Sequence, residues 1–215
     1  PKFFDETGTT YDGVVSYGTL GKDKYWKRKM LEQISDGSSF LDLACGTGIL
    51  TREIAEKFPN SKIVGIDITK SYLDVAKENS SYFENISFIL DDAEEFKLDS
   101  KFDCITASYL PKYCDPEILV KNCTTHLKPG GKIILHDFTY PKNLVVRGLW
   151  NLFLTSLRLV GCFIPSWKDA LIGLPKLIRR TKWLESYSDV MKKNGLSVNR
   201  QYLTCGASAI LTGTK

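Results

Sequence analysis

The sequence predicts an α/β fold, a doubly wound and mostly parallel sheet with helices on both faces. Three observations carry this. Short apolar runs alternate with helical stretches over residues 39–136. A strand, glycine turn and helix follow one another in FLDLACGTGILT, residues 40–51. A second apolar run ends on Asp67, where such sheets present side chains to a ligand. A length of 215 residues suits one domain, and 43% hydrophobic with 25% charged residues is ordinary for a soluble globular chain. The net charge of +4 is mild, and no basic stripe with interleaved aromatics stands out, so no nucleic-acid partner is expected.

Taken in order, residues 1–20 lack periodicity and read as a loop or short helix, a flap over the site. Residues 22–35 read as a helix with Tyr25, Trp26, Met30, Leu31 and Ile34 inward, ended by Asp36-Gly37. Strand one is 39–44, a helix 48–58, strand two 62–67, a helix 71–79, strand three 86–90, a turn or short helix 92–97 and strand four 102–108. A helix over 116–127 is stopped by Lys128-Pro129-Gly130-Gly131, and strand five is 132–136. Residues 143–164 are apolar but interrupted by Arg147, Asn151 and Arg158, too much so for a transmembrane span. This helix either covers the core and lines a greasy pocket or lies on a membrane surface. Residues 166–182 add five basic residues against Asp169, either a solvated face or an attraction to anionic lipid. A last helix over 182–193 precedes an antiparallel hairpin, 196–204 with 207–214.

The glycine turn is the chemical centre. Gly46 and Gly48 let the main chain approach a ligand at a helix N-terminus. No Gly-Lys-Ser/Thr follows, and Thr51 stands where a dinucleotide fingerprint needs glycine. Asp67 at the tip of strand two suits the vicinal hydroxyls of a ribose, so the pattern points to a nucleoside without phosphates. Six cysteines (45, 104, 114, 123, 162, 205) show no C-x-x-C spacing and read as buried, reduced thiols of a cytosolic protein; Cys123 with His126 makes no metal site. The start, PKFFDETGTTYDG, has no apolar stretch after a basic residue, which predicts no signal peptide.

Five motifs in order, Asp42-Leu43-Ala44-Cys45-Gly46-Thr47-Gly48, Gly65-Ile66-Asp67-Ile68, Asp92-Ala93-Glu94, Phe102-Asp103-Cys104-Ile105 and Leu127-Lys128-Pro129-Gly130-Gly131-Lys132, resemble the class I S-adenosylmethionine-dependent methyltransferases. The resemblance covers residues 38–138 and implies a seven-stranded, Rossmann-like sheet with an antiparallel last strand. Tyr11-Asp12, Tyr25-Trp26-Lys27-Arg28, Asp137-Phe138 with Pro141, and Tyr202-Leu203-Thr204-Cys205-Gly206 look like the ubiquinone/menaquinone biosynthesis C-methyltransferases, which methylate a ring carbon of a prenylated quinol. The resemblance then implies one domain over 1–215, with a cofactor-binding core at 38–138, an N-terminal helical flap at 1–35 and a helical substrate cover at 143–194. It implies S-adenosylmethionine as cofactor, S-adenosylhomocysteine as product, and a cofactor site of Asp42, Ala44, Gly46, Thr47, Gly48, Asp67, Ile68, Asp92, Ala93 and Ser108. No metal is expected. Where the family commonly shows Phe-Gly-Leu/Val-Arg-Asn, this chain has Tyr109-Leu110-Pro111-Lys112-Tyr113, which puts the substrate in question. Strand four also lacks the Asn/Asp-Pro-Pro-Tyr of adenine-N6 methyltransferases.

Methyl transfer from a sulfonium is an in-line displacement that needs positioning and a dry site. Attack by a ring carbon gains from a base or a cation beside the quinol hydroxyl, and His136, Lys112 and Tyr109 are the catalytic candidates, with Asp137 and Tyr11 nearby in the pattern. Quinol C-methylation stands against O- or N-methylation of another small molecule and against a non-catalytic cofactor-binding protein. The expected setting is the cytoplasm, with peripheral membrane contact and a homodimer left open.

Overall fold

The computed structural model describes residues 10–164 and 167–215. Seven strands form one sheet in the order β3-β2-β1-β4-β5-β7-β6. They are β1 (Ser39–Leu43), β2 (Lys62–Asp67), β3 (Ile86–Leu90), β4 (Phe102–Ser108), β5 (Leu127–Phe138), β6 (Ser197–Leu203) and β7 (Ser208–Thr214). β1 to β5 pair in parallel, and β7 runs antiparallel to both β5 and β6. The doubly wound, seven-stranded expectation is met.

Alternate side chains of each central strand feed different cores, because the strand period of two sends neighbours to opposite faces. Leu41, Leu43, Ile105 and Ile133 pack with α5 (Pro116–His126) and α8 (Trp183–Lys193). Phe40, Ile63, Cys104 and Ile134 pack with α2 (Asp23–Leu31), α3 (Ile49–Lys57) and the helix pair α6 (Leu144–Gly161) and α7 (Lys168–Arg180). α4 (Lys70–Asn79) lies against β2 and β3. Gly65 is required in β2, since a Cβ there would meet the Phe88 ring at 2.8 Å and Cys45 Sγ at 3.0 Å.

The flap contains a short helix, α1 (Tyr11–Gly18), one of the two forms expected there; residues 1–9 of it lie outside the described residues, as do 165–166 of the basic stretch. Three expectations change. α2 stops at Leu31 rather than 35, because Lys57 Nζ takes the Leu31 and Ile34 carbonyls and Lys132 Nζ takes that of Gln33. The Pro129-Gly130 stretch does not separate helix from strand but lies within β5. Gly130 N–H donates to the Lys215 carbonyl, Lys215 N–H to that of Gly131, and the β4–β5 register shifts between Phe102 and Cys104, a bulge in place of a loop. Of the six cysteines, Cys162 and Cys205 are exposed.

α6 is capped by the Asn143 side chain, which accepts from the Val145 and Val146 N–H groups. By length and composition it could cross a membrane, with a mean hydropathy of 1.2 over 18 residues. It is not simply a core cover. Leu154 and Leu157 are buried, while Leu144, Val145, Leu149, Leu152 and Leu159 face outward.

Candidate functional site

A cavity of about 190 Å³ opens at the carboxyl ends of β1, β2 and β4, where an α/β sheet presents its ligand. Ala44, Gly46, Asp67, Ile68 and Ser108 line it, and so do Tyr109 and Lys112. The roof comes from Tyr11, Val14 and Val15 of α1 with Leu157, Trp167, Leu171 and Leu174 from the α6–α7 region. Tyr11 closes it through its ring contacts with Tyr72 and Trp167, and Trp167 Nε1–H donates to Thr10 Oγ1 at 3.0 Å.

Asp67 sits at the end of β2 with both oxygens set by backbone donors. Gly46 N–H reaches Oδ2 and Thr69 N–H reaches Oδ1, each at 2.8 Å. Burial raises its pKa, and these N–H groups oppose the rise. Gly46 has φ 57° and Gly48 φ 77°, so both need a left-handed backbone. A Cβ at Gly46 would find only the Tyr11 ring, at 3.7 Å, so its α-carbon faces open space. Ala44 (φ 50°) and Tyr109 (φ 64°) hold the same strained region at the ends of β1 and β4, both on the cavity wall.

A smaller pocket adjoins behind the glycine turn, lined by Lys27, Asp42 and Thr47 among others. Asp42 accepts from Thr51 Oγ1 at 2.7 Å and Thr106 Oγ1 at 2.8 Å, and burial pushes its pKa up to about 6. Thr47 Oγ1 donates to Asp12 Oδ1 at 2.6 Å, which ties α1 to the turn. Lys27 pairs with Asp23 one helical turn back, and Tyr109 Oη donates to the same Asp23 Oδ1 at 2.8 Å. Burial, with the nearby Asp23 charge, raises the Tyr109 pKa well above 10 and holds its hydroxyl neutral.

The remaining expected residues divide. Lys112 is on the wall, paired with Asp137 at 2.9 Å. His136 is not available as a proton acceptor. It has no exposed surface, its Nδ1 lies 2.9 Å from Ser108 Oγ and its Nε2 2.7 Å from Ser208 Oγ. Its apolar setting lowers its pKa well below 6.5, with Lys27 and Lys112 adding to the effect. A strand-end position does not reveal this inward rotation, since the period of two depends on the unseen register. Asp92 and Ala93 stand outside the cavity lining; Asp92 Oδ1 accepts from Glu94 N–H and Ala93 joins the core.

The sequence reading missed the Asp23–Lys27 pair and the Trp167 wall. An acid and a base at i and i+4 on the face that carries Trp26 and Met30 was the available signal for the pair.

The residues present fit a nucleoside sulfonium. Gly46 leaves room for a ligand against the backbone, whereas Gly48 lines neither cavity and turns its α-carbon to Ala76, Arg52 and Phe88; Asp67 offers a carboxylate to a diol, and Lys27 supplies a cation beside the turn.

A family model described as a methyltransferase domain matches residues 34–157. The ubiquinone/menaquinone biosynthesis C-methyltransferase UbiE of Hahella chejuensis is 29% identical, over 100% of this chain and 90% of that protein. Among solved structures, a chain from the complex between the Haloferax volcanii Trm112 methyltransferase activator and a methyltransferase superposes with a TM-score of 0.69 at 16% identity, covering 98% of this chain and 96% of its own. The N-methyltransferase NodS of Bradyrhizobium japonicum WM9 gives 0.60 at 14% identity, covering 90% and 96%. At these identities the structures speak for the fold alone.

Proposed function

The chain belongs to the methyltransferase domain family and is an S-adenosylmethionine-dependent methyltransferase, and on that premise we propose that it methylates a ring carbon of a prenylated quinol. The observation that carries this reading is the cavity wall. Among the described residues Asp67 and Lys112 are its charged members, Thr19, Thr69, Ser108 and four tyrosines bring hydroxyls, and the larger part is apolar or aromatic, including Phe138, Leu157, Trp167 and Leu174. Such a wall suits an aromatic ring with an isoprenoid tail and offers little to a polar acceptor.

Bound S-adenosylmethionine supplies an electrophilic methyl group. The chain's residues do the rest. Asp67 would hold the ribose diol, Gly46 would admit the methionyl backbone, and Lys27 would offer its ammonium to the carboxylate. Asp42 acts indirectly, fixing the turn through Thr51 and Thr106. α1 and Trp167 exclude water, which matters because the reaction moves from charged toward less charged species. Lys112 would favour the phenolate form of the quinol, whose hydroxyl proton leaves to solvent before the site closes, and Asp137 keeps the ammonium aimed; after methyl transfer the ring carbon gives up its proton to water as the product departs. Tyr109 stays neutral and shapes the wall. The enzyme works in the cytoplasm on this reading.

A second reading, O- or N-methylation of a different small molecule, draws on Lys112-Tyr113 in place of the family's Arg-Asn. The test is labelled methyl transfer from S-adenosylmethionine to a short-chain demethylmenaquinol kept reduced, with the quinone as control. Label on the ring with the reduced form alone supports carbon methylation. Label on oxygen or nitrogen, or none despite cofactor binding by calorimetry, rejects it.

A further inference from the structure

We propose that the outer face of α6, flanked by the basic residues of α7, seats the enzyme on an anionic lipid surface. Leu144, Val145, Leu149, Leu152, Leu159 and Phe163 are 63–85% exposed. From Val145, Leu149, Leu152 and Leu159 follow at i+4, i+7 and i+14, one narrow stripe of the helix, with Leu144 beside its start and Phe163 in the turn after its end. The opposite side of the same helix carries Leu154 and Leu157 into the core, and Gly161 lets Leu171 of α7 approach its α-carbon. α6 is therefore apolar on two faces, and protein covers one of them.

Charge identifies the occupant. Residues 141–183 hold eight basic side chains and one acid, Asp169, so the chain's net +4 leaves −3 for everything else. Arg179 donates to Asn151 Oδ1 at 2.9 Å, which lays the basic end of α7 along the polar edge of α6. Apolar side chains entering the acyl region beside a row of cations is the pattern of an interfacial helix. A second copy would bring the same positive charge to the same face. The cavity lies behind this helix pair, since Leu157 on the inner side of α6 and Leu171 and Leu174 of α7 line it.

The helix lies on the membrane and does not cross it, because its inner face is packed on the enzyme. This inference is independent of the acceptor, since vesicle binding is read without turnover.

The experiment is flotation of the full chain with vesicles of phosphatidylcholine alone or with a third phosphatidylglycerol, at low and high salt. Binding should be about tenfold or more tighter with phosphatidylglycerol and weaken in salt. Leu149→Glu/Leu152→Glu should abolish binding, and Lys176→Glu/Arg180→Glu should remove the preference for anionic lipid, both with unchanged circular dichroism and cofactor affinity. Equal binding to both vesicle types overturns the proposal, as does unaltered binding by the two variants. A dimer in sedimentation velocity that Leu149→Glu/Leu152→Glu dissociates would assign the face to a second copy instead and overturn it too.

Discussion

Lys112 Nζ lies 2.9 Å from Asp137 Oδ1, with side-chain exposures of 2% and 0%. The ammonium also approaches the Tyr113 ring centroid at 4.5 Å and donates to the Tyr109 carbonyl. One end of this pair belongs to the cavity wall and the other to the sheet. Lys112→Met strips Asp137 of its counter-charge, and breaking a buried pair this way costs about 3 kcal/mol or more. Burial already raises the Asp137 pKa while Lys112 opposes the rise, so the variant's carboxyl moves up further. A folded pKa above the unfolded value costs stability as pH rises from about 4 towards the folded value. The deficit in urea denaturation should therefore be smallest in acid and grow as pH rises. Lys112→Met/Asp137→Asn should regain stability without regaining quinol turnover. Recovery of both would make Lys112 merely structural.

Asp67→Ala removes the carboxylate at the diol and orphans the N–H groups of Gly46 and Thr69. Two charge-assisted hydrogen bonds are together worth about 3 kcal/mol or more, so S-adenosylmethionine affinity should fall about a hundredfold or further. The freed donors should also lower the melting temperature by a few degrees. Calorimetry showing full-affinity binding would remove Asp67 from the cofactor site.

How much of this was legible in the sequence depended on whether the signal was local. β1, β2, β3 and β4 fall within a residue of their expected bounds, because each is a short apolar run between turn residues. The glycine turn and Asp67 were legible for the same reason. Tertiary partners decided the rest. Lys57 and Lys132, distant in sequence, end α2 early. Pro129-Gly130 looks like a stop until Lys215 supplies a strand partner. His136 looks exposed until Ser108 and Ser208 close on it from two strands. The direction of α6 is the largest case, since a helix apolar on two faces carries no sequence sign of which face the core takes.

The chain has two histidines, so His136 can be read directly. Its pKa is depressed by burial, then by the charges of Lys27 and Lys112. The unfolded chain takes up a proton near pH 6.5 and the folded ring does not, so this group costs stability as pH falls through that value. Nitrogen-15 spectra at pH 5.5, with the ring signals assigned by their loss in His136→Gln, should show the His136 ring in a neutral tautomer. A His136 ring that titrates near 6.5 would refute the buried setting and return it to the catalytic candidates.

Asp42 gives a pH dependence of the other sign. Its carboxyl, on β1 beneath the glycine turn, is pushed up to about 6 by burial, against the donors Thr51 and Thr106. The unfolded chain ionises near 4, so between pH 4 and 6 the folded state keeps a proton that the unfolded state has lost. Native stability from this group is thus present at low pH and falls as pH rises through that window, by about 3 kcal/mol at most. Asp42→Asn removes the term. Its amide can accept from Thr51 and donate to Thr106, whose hydroxyl can turn to the Leu41 carbonyl at 3.4 Å. The contributions of His136 and Asp67 are common to both proteins and cancel in the comparison. Relative to the parent, Asp42→Asn should gain stability between pH 4 and pH 7.5 in urea denaturation, by up to that amount. A difference that stays constant across the range would mean that Asp42 is ionised throughout, and that the turn is held by a charged rather than a proton-sharing carboxyl.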